Sequence, residues 1–310
     1  MYFRCVFLLL AVAVVRSAFP QNIRRITHRD GLSNSSILSL AQDADGYIWA
    51  GSCDGLNLWD GNSARHFRLS GNLIQEIVAT DDGYLWVRTN YGVDRFDTRD
   101  RRIEMLAGFQ RVYKFAARSR DEAFFLHGNK LYGYVASQGA LEPVDVRGEE
   151  LNGVLRMCLD GDGVLWLVRS EDIRCAQVVY DAGGRASVGE GERMPLPDGV
   201  VFTRYDGDRT IFFTDRNGML FRFDTGQRRA FPIFDLREEL GRRGALSSVI
   251  SDKDDYVLAF GMSGVLRLRS TDPIEGRYEL QEIDVNCGVF ALPKDCNQDI
   301  VWIGTDGSGL

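Results

Sequence analysis

From about residue 20 onward the chain is written in short apolar–polar alternations separated by aspartate- and glycine-rich punctuation. Leu56-Asn57-Leu58-Trp59-Asp60 alternates with period two, and so does Ala64-Arg65-His66-Phe67-Arg68-Leu69. Such alternation predicts β-strands. Ahead of them, Ile37 and Leu40 lie on one predicted strand and Ile48-Trp49-Ala50-Gly51 on the next. The Asp-x-x-Gly between these two predicts a hairpin turn, because Asp bonds nearby backbone and Gly accepts positive φ. Ser52-Cys53-Asp54-Gly55 predicts a second turn. The unit is therefore four antiparallel strands in roughly 40 residues, the size of a propeller blade.

The unit recurs. Asp43-Ala44-Asp45-Gly46-Tyr47-Ile48-Trp49 is echoed by Thr80-Asp81-Asp82-Gly83-Tyr84-Leu85-Trp86, by Asp160-Gly161-Asp162-Gly163-Val164-Leu165-Trp166 and by Asp299-Ile300-Val301-Trp302. Degenerate copies carry Phe125, Ile211 and Leu258 at the tryptophan position, so the anchors fall at 49, 86, 125, 166, 211, 258 and 302. A period of this size indicates a propeller or a solenoid. Helical repeats would need 3.6-residue apolar spacing, which the repeated segments lack. The expectation is an all-β fold: a seven-bladed β-propeller of four-stranded antiparallel blades across residues 18–310. The last blade is incomplete, since the chain stops at Leu310 as a third strand begins, and Ile23-Arg24-Arg25-Ile26-Thr27 is expected to serve as its outer strand. On this reading the chain is the N-terminal fragment of a longer protein. Short helical stretches fit near Phe234 to Gly241, where Asp235-Leu236-Arg237-Glu238-Glu239-Leu240 has helix formers.

Composition narrows the function classes. Thirty-seven Lys and Arg against 44 Asp and Glu give a net charge of -7, which argues against nucleic-acid contact, since that affinity comes largely from cations on phosphates. Met1 to Ser17 reads as a secretory signal peptide: Arg4, an apolar run from Val6 to Val15, then small residues. Its removal takes the charge from -7 to -9. No later stretch is long and apolar enough to span a bilayer. Five cysteines follow the leader, and Cys287 with Cys296 is close enough in sequence to pair, although buried small apolar thiols are the simpler reading.

Candidate chemistry is sparse. The Asp/Gly turns alternate Asp as calcium loops do, but lack the closing Glu and lead into strands, so turn chemistry is preferred. Trp49, Trp86, Trp166 and Trp302, repeated at one position, read as core between neighbouring sheets and not as sugar platforms. Trp59 stands outside that register. No G-x-S-x-G in a strand–turn–helix context, H-E-x-x-H or C-x-x-C occurs, so no catalytic residue, metal site or cofactor is assigned. Glu149, Glu150, Glu190 and Glu192 read as solvated loop charge, and Arg216, Arg228, Arg229, Arg242 and Arg243 as surface cations. The turns between second and third strands share one face with the links between blades. That face is expected to present Asn34, Asp54, Asn90, Tyr91, Arg169, Arg216 and Asp306 to a ligand, as amides, carboxylates and an aromatic tip suited to hydroxyl groups.

Asp30-Gly31-Leu32-Ser33-Asn34-Ser35-Ser36-Ile37, then Asp43 to Gly46, Trp49, Gly51, Gly55-Leu56 and Trp59-Asp60, resembles the two-component-regulator propeller repeats in periplasmic sensors of hybrid two-component systems from Bacteroides-like bacteria. The resemblance covers roughly residues 20 to 310 and is strongest in units one, two, four and seven. It implies an exported sensor on the periplasmic side of the inner membrane, often for oligosaccharides, homodimeric in full length. A second propeller and a histidine kinase that regulates glycan-use genes would lie downstream. An exported propeller lyase or glycosidase acting on polysaccharide is the alternative. Lys130 and Asp172 stand where a turn Gly is usual and leave the third-strand boundaries of units three and four open.

Overall fold

Each alternating run becomes a strand in the computed structural model, which describes residues 23–106, 114–148, 151–196, 199–207 and 209–310. The expected leader, together with Glu149 and Glu150, lies outside these residues. Blade 1 is a meander of Ile37–Gln42, Ile48–Ser52, Gly55–Trp59 and Ala64–Phe67, paired in that order. Blades 2, 3, 5 and 6 repeat it with first strands Ile74–Thr80, Lys114–Ser119, Val200–Tyr205 and Leu246–Asp252. Blade 4 starts at Val154–Leu159 and ends on Glu192–Pro195. Its long third strand, Asp172–Tyr180, folds back on an inserted strand, Ala186–Val188, that pairs in parallel with Asp145–Val146 from the preceding link. The period gave no sign of this insertion. Blade 7 comprises Val289–Ala291 and Gly304–Thr305.

The first strands touch in a closed cycle, blade 7 against blade 1 included. The opening segment does not form the expected outer strand of blade 7, which stays two-stranded, but it meets the end of the chain: Ile26 and Leu310 exchange both backbone hydrogen bonds, at 2.7 and 2.9 Å. The predicted helix is Arg237–Arg243, in the link between blades 5 and 6. Third strands begin at Lys130 and Asp172 themselves, which settles the two open boundaries.

Apolar side chains of each second strand point alternately to the blade ahead and the blade behind, which is why these strands are apolar nearly throughout. Trp49 meets Phe96 of blade 2, with ring centroids 5.1 Å apart, and Trp166 meets Phe223 of blade 5 at 5.9 Å. Leu165 and Leu167, flanking Trp166, join the core behind, with Phe124 and Leu126 of blade 3. This alternation corrects the anchors of three blades. Phe125 packs backward on Trp86, Ile211 backward on blade 4 and Leu258 backward on blade 5, whereas Phe124, Phe212 and Val257 face forward as the tryptophans do. A slip of one residue in a strand reverses the face of every side chain. All of these residues are buried, so the fold is unaffected.

The aspartate that opens the turn also holds the indole. Asp43 Oδ1 accepts the Asp45 and Tyr47 N–H groups at 3.1 and 2.9 Å, and Oδ2 accepts Trp49 Nε1–H at 2.7 Å. Asp160 does the same for Trp166, and Asp295 holds Trp302 Nε1 at 2.9 Å. Trp59, outside the repeat position, is also core, with the Arg24 guanidinium over its ring. Trp302 is only half-buried and lines an outer cleft of about 790 Å³ between blades 7 and 1. All five cysteines after the leader are free thiols, so Cys287 and Cys296 are not paired. Cys158 and Cys175 are buried as expected, but Cys53 and Cys296 are exposed.

Candidate functional site

The rim face is built by one device repeated. Side chains on third strands and turns reach up to pin the links between blades. In blade 1, Asn57 Oδ1 accepts Ser33 N–H at 2.9 Å while Ser33 Oγ bonds the Asp54 carbonyl at 2.6 Å. In blade 2, Asp94 Oδ2 accepts Ser70 N–H at 2.8 Å. Loops held this way present a fixed surface.

The seven expected residues separate into groups on that surface. Asn34 is spent on its own loop, accepting Ser36 N–H at 2.7 Å, and Ser36 Oγ in turn donates to Asp306 Oδ1 at 3.0 Å across the blade 7–blade 1 junction. Exposed Asp306 and Asp54 flank the same junction. Asn90 bonds Leu73 through its backbone and side chain, at 3.1 and 3.2 Å, and so holds Tyr91 out, 60% exposed. Arg169 and Arg216 belong to a third neighbourhood, between blades 4 and 5.

There Asp172, nearly fully buried, is a hub for three guanidinium groups: Arg169 Nε at 2.9 Å, Arg193 Nε at 2.6 Å and Arg174 Nε at 3.5 Å. Burial would raise the Asp172 carboxyl, but the Arg169 hydrogen bond and the three positive charges outweigh it and hold it below its usual range. A shallow cleft of about 470 Å³ opens beside the hub, lined by Glu171, Arg193, Leu196, Gly199, Arg216 and Asn217. Arg169 does not line this cleft but shares Asp172 with Arg193, which does, whereas Arg216 is exposed and also borders a second cleft of about 490 Å³ between blades 5 and 6. Planar guanidinium forks of this kind take carboxylates and vicinal hydroxyls. Arg193 and the hub were missed in the sequence; the readable signal was Asp172 itself, a carboxylate at a turn-glycine position. Arg243, expected on the surface, is instead largely buried, clasped by Glu239 at 2.7 Å and by Glu282. No cluster able to hold a metal occurs among the described residues, nor any helix long and apolar enough to cross a membrane.

Residues 31–54 match the family model described as two component regulator propeller. Over 92% of this chain, the extracellular domain of the hybrid two-component system BT4673 of B. thetaiotaomicron is similar, with 19% identity and a TM-score of 0.67. That of BT3049 from the same organism also covers 92%, with 16% identity and a TM-score of 0.64. The chain spans only 39% and 41% of those two domains. Virginiamycin B lyase of Staphylococcus aureus is similar as well, with 13% identity over 88% of this chain and 93% of the lyase, and a TM-score of 0.62. No curated protein sequence matches the chain. Likeness at such identities carries the fold, and one fold serves both receptors and enzymes. The chain is thus a β-propeller with a two-component-regulator propeller repeat in its first blade, sharing its architecture with extracellular domains of Bacteroides-type two-component systems.

Proposed function

We propose that this chain is the ligand-sensing propeller of a hybrid two-component sensor histidine kinase, carried on the periplasmic side of the inner membrane. Its ligand is an oligosaccharide or another small periplasmic molecule, taken at the rim face. The observation that carries this reading is the regulator-propeller repeat at residues 31–54 within a fold shared over 92% of the chain with extracellular domains of such systems. Arg216 and Arg193 supply charged donors to the blade 4–blade 5 cleft, and Tyr91, Asn90, Asp54 and Asp306 supply an aromatic face and hydroxyl partners elsewhere on the rim. Asn34 and Arg169 act by holding loops. A ligand that prefers one arrangement of propellers or protomers in a homodimeric receptor shifts the population toward it and so biases the kinase that controls glycan-use genes.

The test is isothermal titration of the full chain with a panel of oligosaccharides, with product analysis of each mixture. Saturable binding without cleavage is expected, weakened about tenfold by Arg216→Ala, the worth of one hydrogen bond to a charged group. Tyr91→Ala should also weaken it, with the unfolding midpoint unchanged in both variants. Cleavage of any glycan would replace this reading with that of an exported lyase or glycosidase, and absence of binding across the panel would remove the oligosaccharide.

A further inference from the structure

The innermost strands carry a charge cluster that blade packing does not use. Glu76, Lys114, Arg156 and Arg204 lie on the first strands of blades 2, 3, 4 and 5, and Arg88 pairs with Glu76 across the first hairpin of blade 2. Arg156 Nη1 is 3.0 Å from Glu76 Oε1. That contact joins blade 4 to blade 2 past blade 3, so the side chains meet at the axis of the ring. Arg88 Nε approaches Glu76 Oε2 at 3.3 Å and Arg88 Nη1 donates to Gln75 Oε1 at 2.6 Å.

Arg88 and Arg156 therefore contact one carboxylate, and Lys114 and Arg204, on the neighbouring first strands, lie within its electrostatic reach. Asp206, a second carboxylate that acts on Arg204, lies two residues beyond it and accepts Ser251 Oγ–H at 3.3 Å. Arg156 Nε and Arg204 Nε are sealed from solvent without an acceptor among the described residues. A buried donor left unpaired costs about 1–3 kcal/mol, and more where it is charged. Burial, then the Arg156 charge, pushes Arg204 down to about 10, and the same two causes lower Lys114. In a chain of net charge -7 this local excess of positive charge is not a reflection of the whole surface.

We propose that this cluster at the axis of the ring binds a small oxyanion, or the carboxylate, sulfate or phosphate group of a larger ligand, between Arg156, Arg204 and Lys114, with Glu76 as a partial internal counter-ion. Guanidinium forks match oxyanion geometry, and hydrogen bonds to ionised partners are the strong ones. The site is independent of the rim face and stands whether or not the rim takes a sugar.

Isothermal titration of the full chain with sodium sulfate, acetate and galacturonate, against chloride at equal ionic strength, tests it. Millimolar concentrations keep sulfate below the range where it acts by exclusion from the surface. One saturable site for sulfate is expected. Arg204→Gln and Arg156→Gln should each weaken it about tenfold or more, and Glu76→Gln, which removes the competing carboxylate, should tighten it by about the same factor. Galacturonate binding more tightly than acetate identifies an acidic sugar as the natural ligand, and equal binding a free anion. Identical heats for sulfate and chloride would overturn the proposal, and so would a Glu76→Gln variant with unchanged affinity, even if neither arginine variant folds.

Discussion

Blades 1 and 2 have the same four strands and the same buried tryptophan, yet they hold it by different means. In blade 1 Asp43 ties the indole to its own turn. In blade 2 the equivalent residue is Thr80, whose hydroxyl bonds Asp82 and the Tyr84 carbonyl, and Trp86 Nε1 instead donates to the Ser119 carbonyl of blade 3 at 2.9 Å. The third strands differ in the same way. Asn57 accepts from Ser33 and donates to the Ala50 carbonyl and Ser52 Oγ at 3.3 and 3.4 Å. Asp94 accepts from Ser70 but has no proton to donate, and its Oδ1 is buried without a partner. The apolar position is set by the wedge between sheets, while the polar groups around it find whichever partner the local sequence offers.

The largest effect should be common to both blades. Trp49→Ala or Trp86→Ala opens a cavity between sheets and is expected to cost about 3–5 kcal/mol in urea unfolding. A much smaller loss at either residue would show that its indole does not fill the seam. The turns should then separate the two blades. Asp43→Ala removes three hydrogen bonds and strands an indole N–H, at about 2–3 kcal/mol, whereas Thr80→Ala leaves the Trp86 bond intact and should cost under about 1 kcal/mol. Equal losses would erase the distinction.

A further effect has the opposite sign. Asp94→Asn restores the donors that Asn57 provides in blade 1 and should stabilise the protein by about 1 kcal/mol at neutral pH. Burial raises the Asp94 carboxyl above its usual range despite the Ser70 hydrogen bonds. A raised folded pKa means that the stability tied to the protonated form is present in acid and lost as pH rises through that value. The advantage of Asp94→Asn should therefore grow from the ordinary carboxylate range upward. A pH-independent difference would contradict the unpaired Oδ1.

The ring, its blade count and the helix at Arg237–Arg243 were legible because Asp-x-x-Gly turns and an apolar strand recur with a nearly constant period. The facing of three anchors was not. In Phe124-Phe125, Ile211-Phe212-Phe213 and Val257-Leu258 adjacent residues are all apolar and all buried, one toward each neighbouring blade, so hydrophobicity cannot say which looks forward. The turn can: Asp206 pairs with Thr210 across its turn as Asp43 pairs with Tyr47, which puts Phe212 where Trp49 stands. On the rim, sequence marks which residues occupy the loops but not which are consumed there. Asn34 and Arg169 are consumed, while Arg216 and Tyr91 project. The axial cluster was hidden because its members come from four blades, far apart in the chain, and each alone reads as a solvated charge.

A double-mutant cycle on paired aromatics of blades 2 and 3 tests the facing rule most directly. Trp86 and Phe125 have ring centroids 5.6 Å apart, whereas Phe124 belongs to the core shared with blade 4. Trp86→Ala combined with Phe125→Ala should show a coupling energy of about 0.5–1.5 kcal/mol, while Trp86→Ala with Phe124→Ala should be additive within about 0.5 kcal/mol. Coupling of Trp86 to Phe124 with additivity at Phe125 would contradict the alternation on which the seven wedges are assembled.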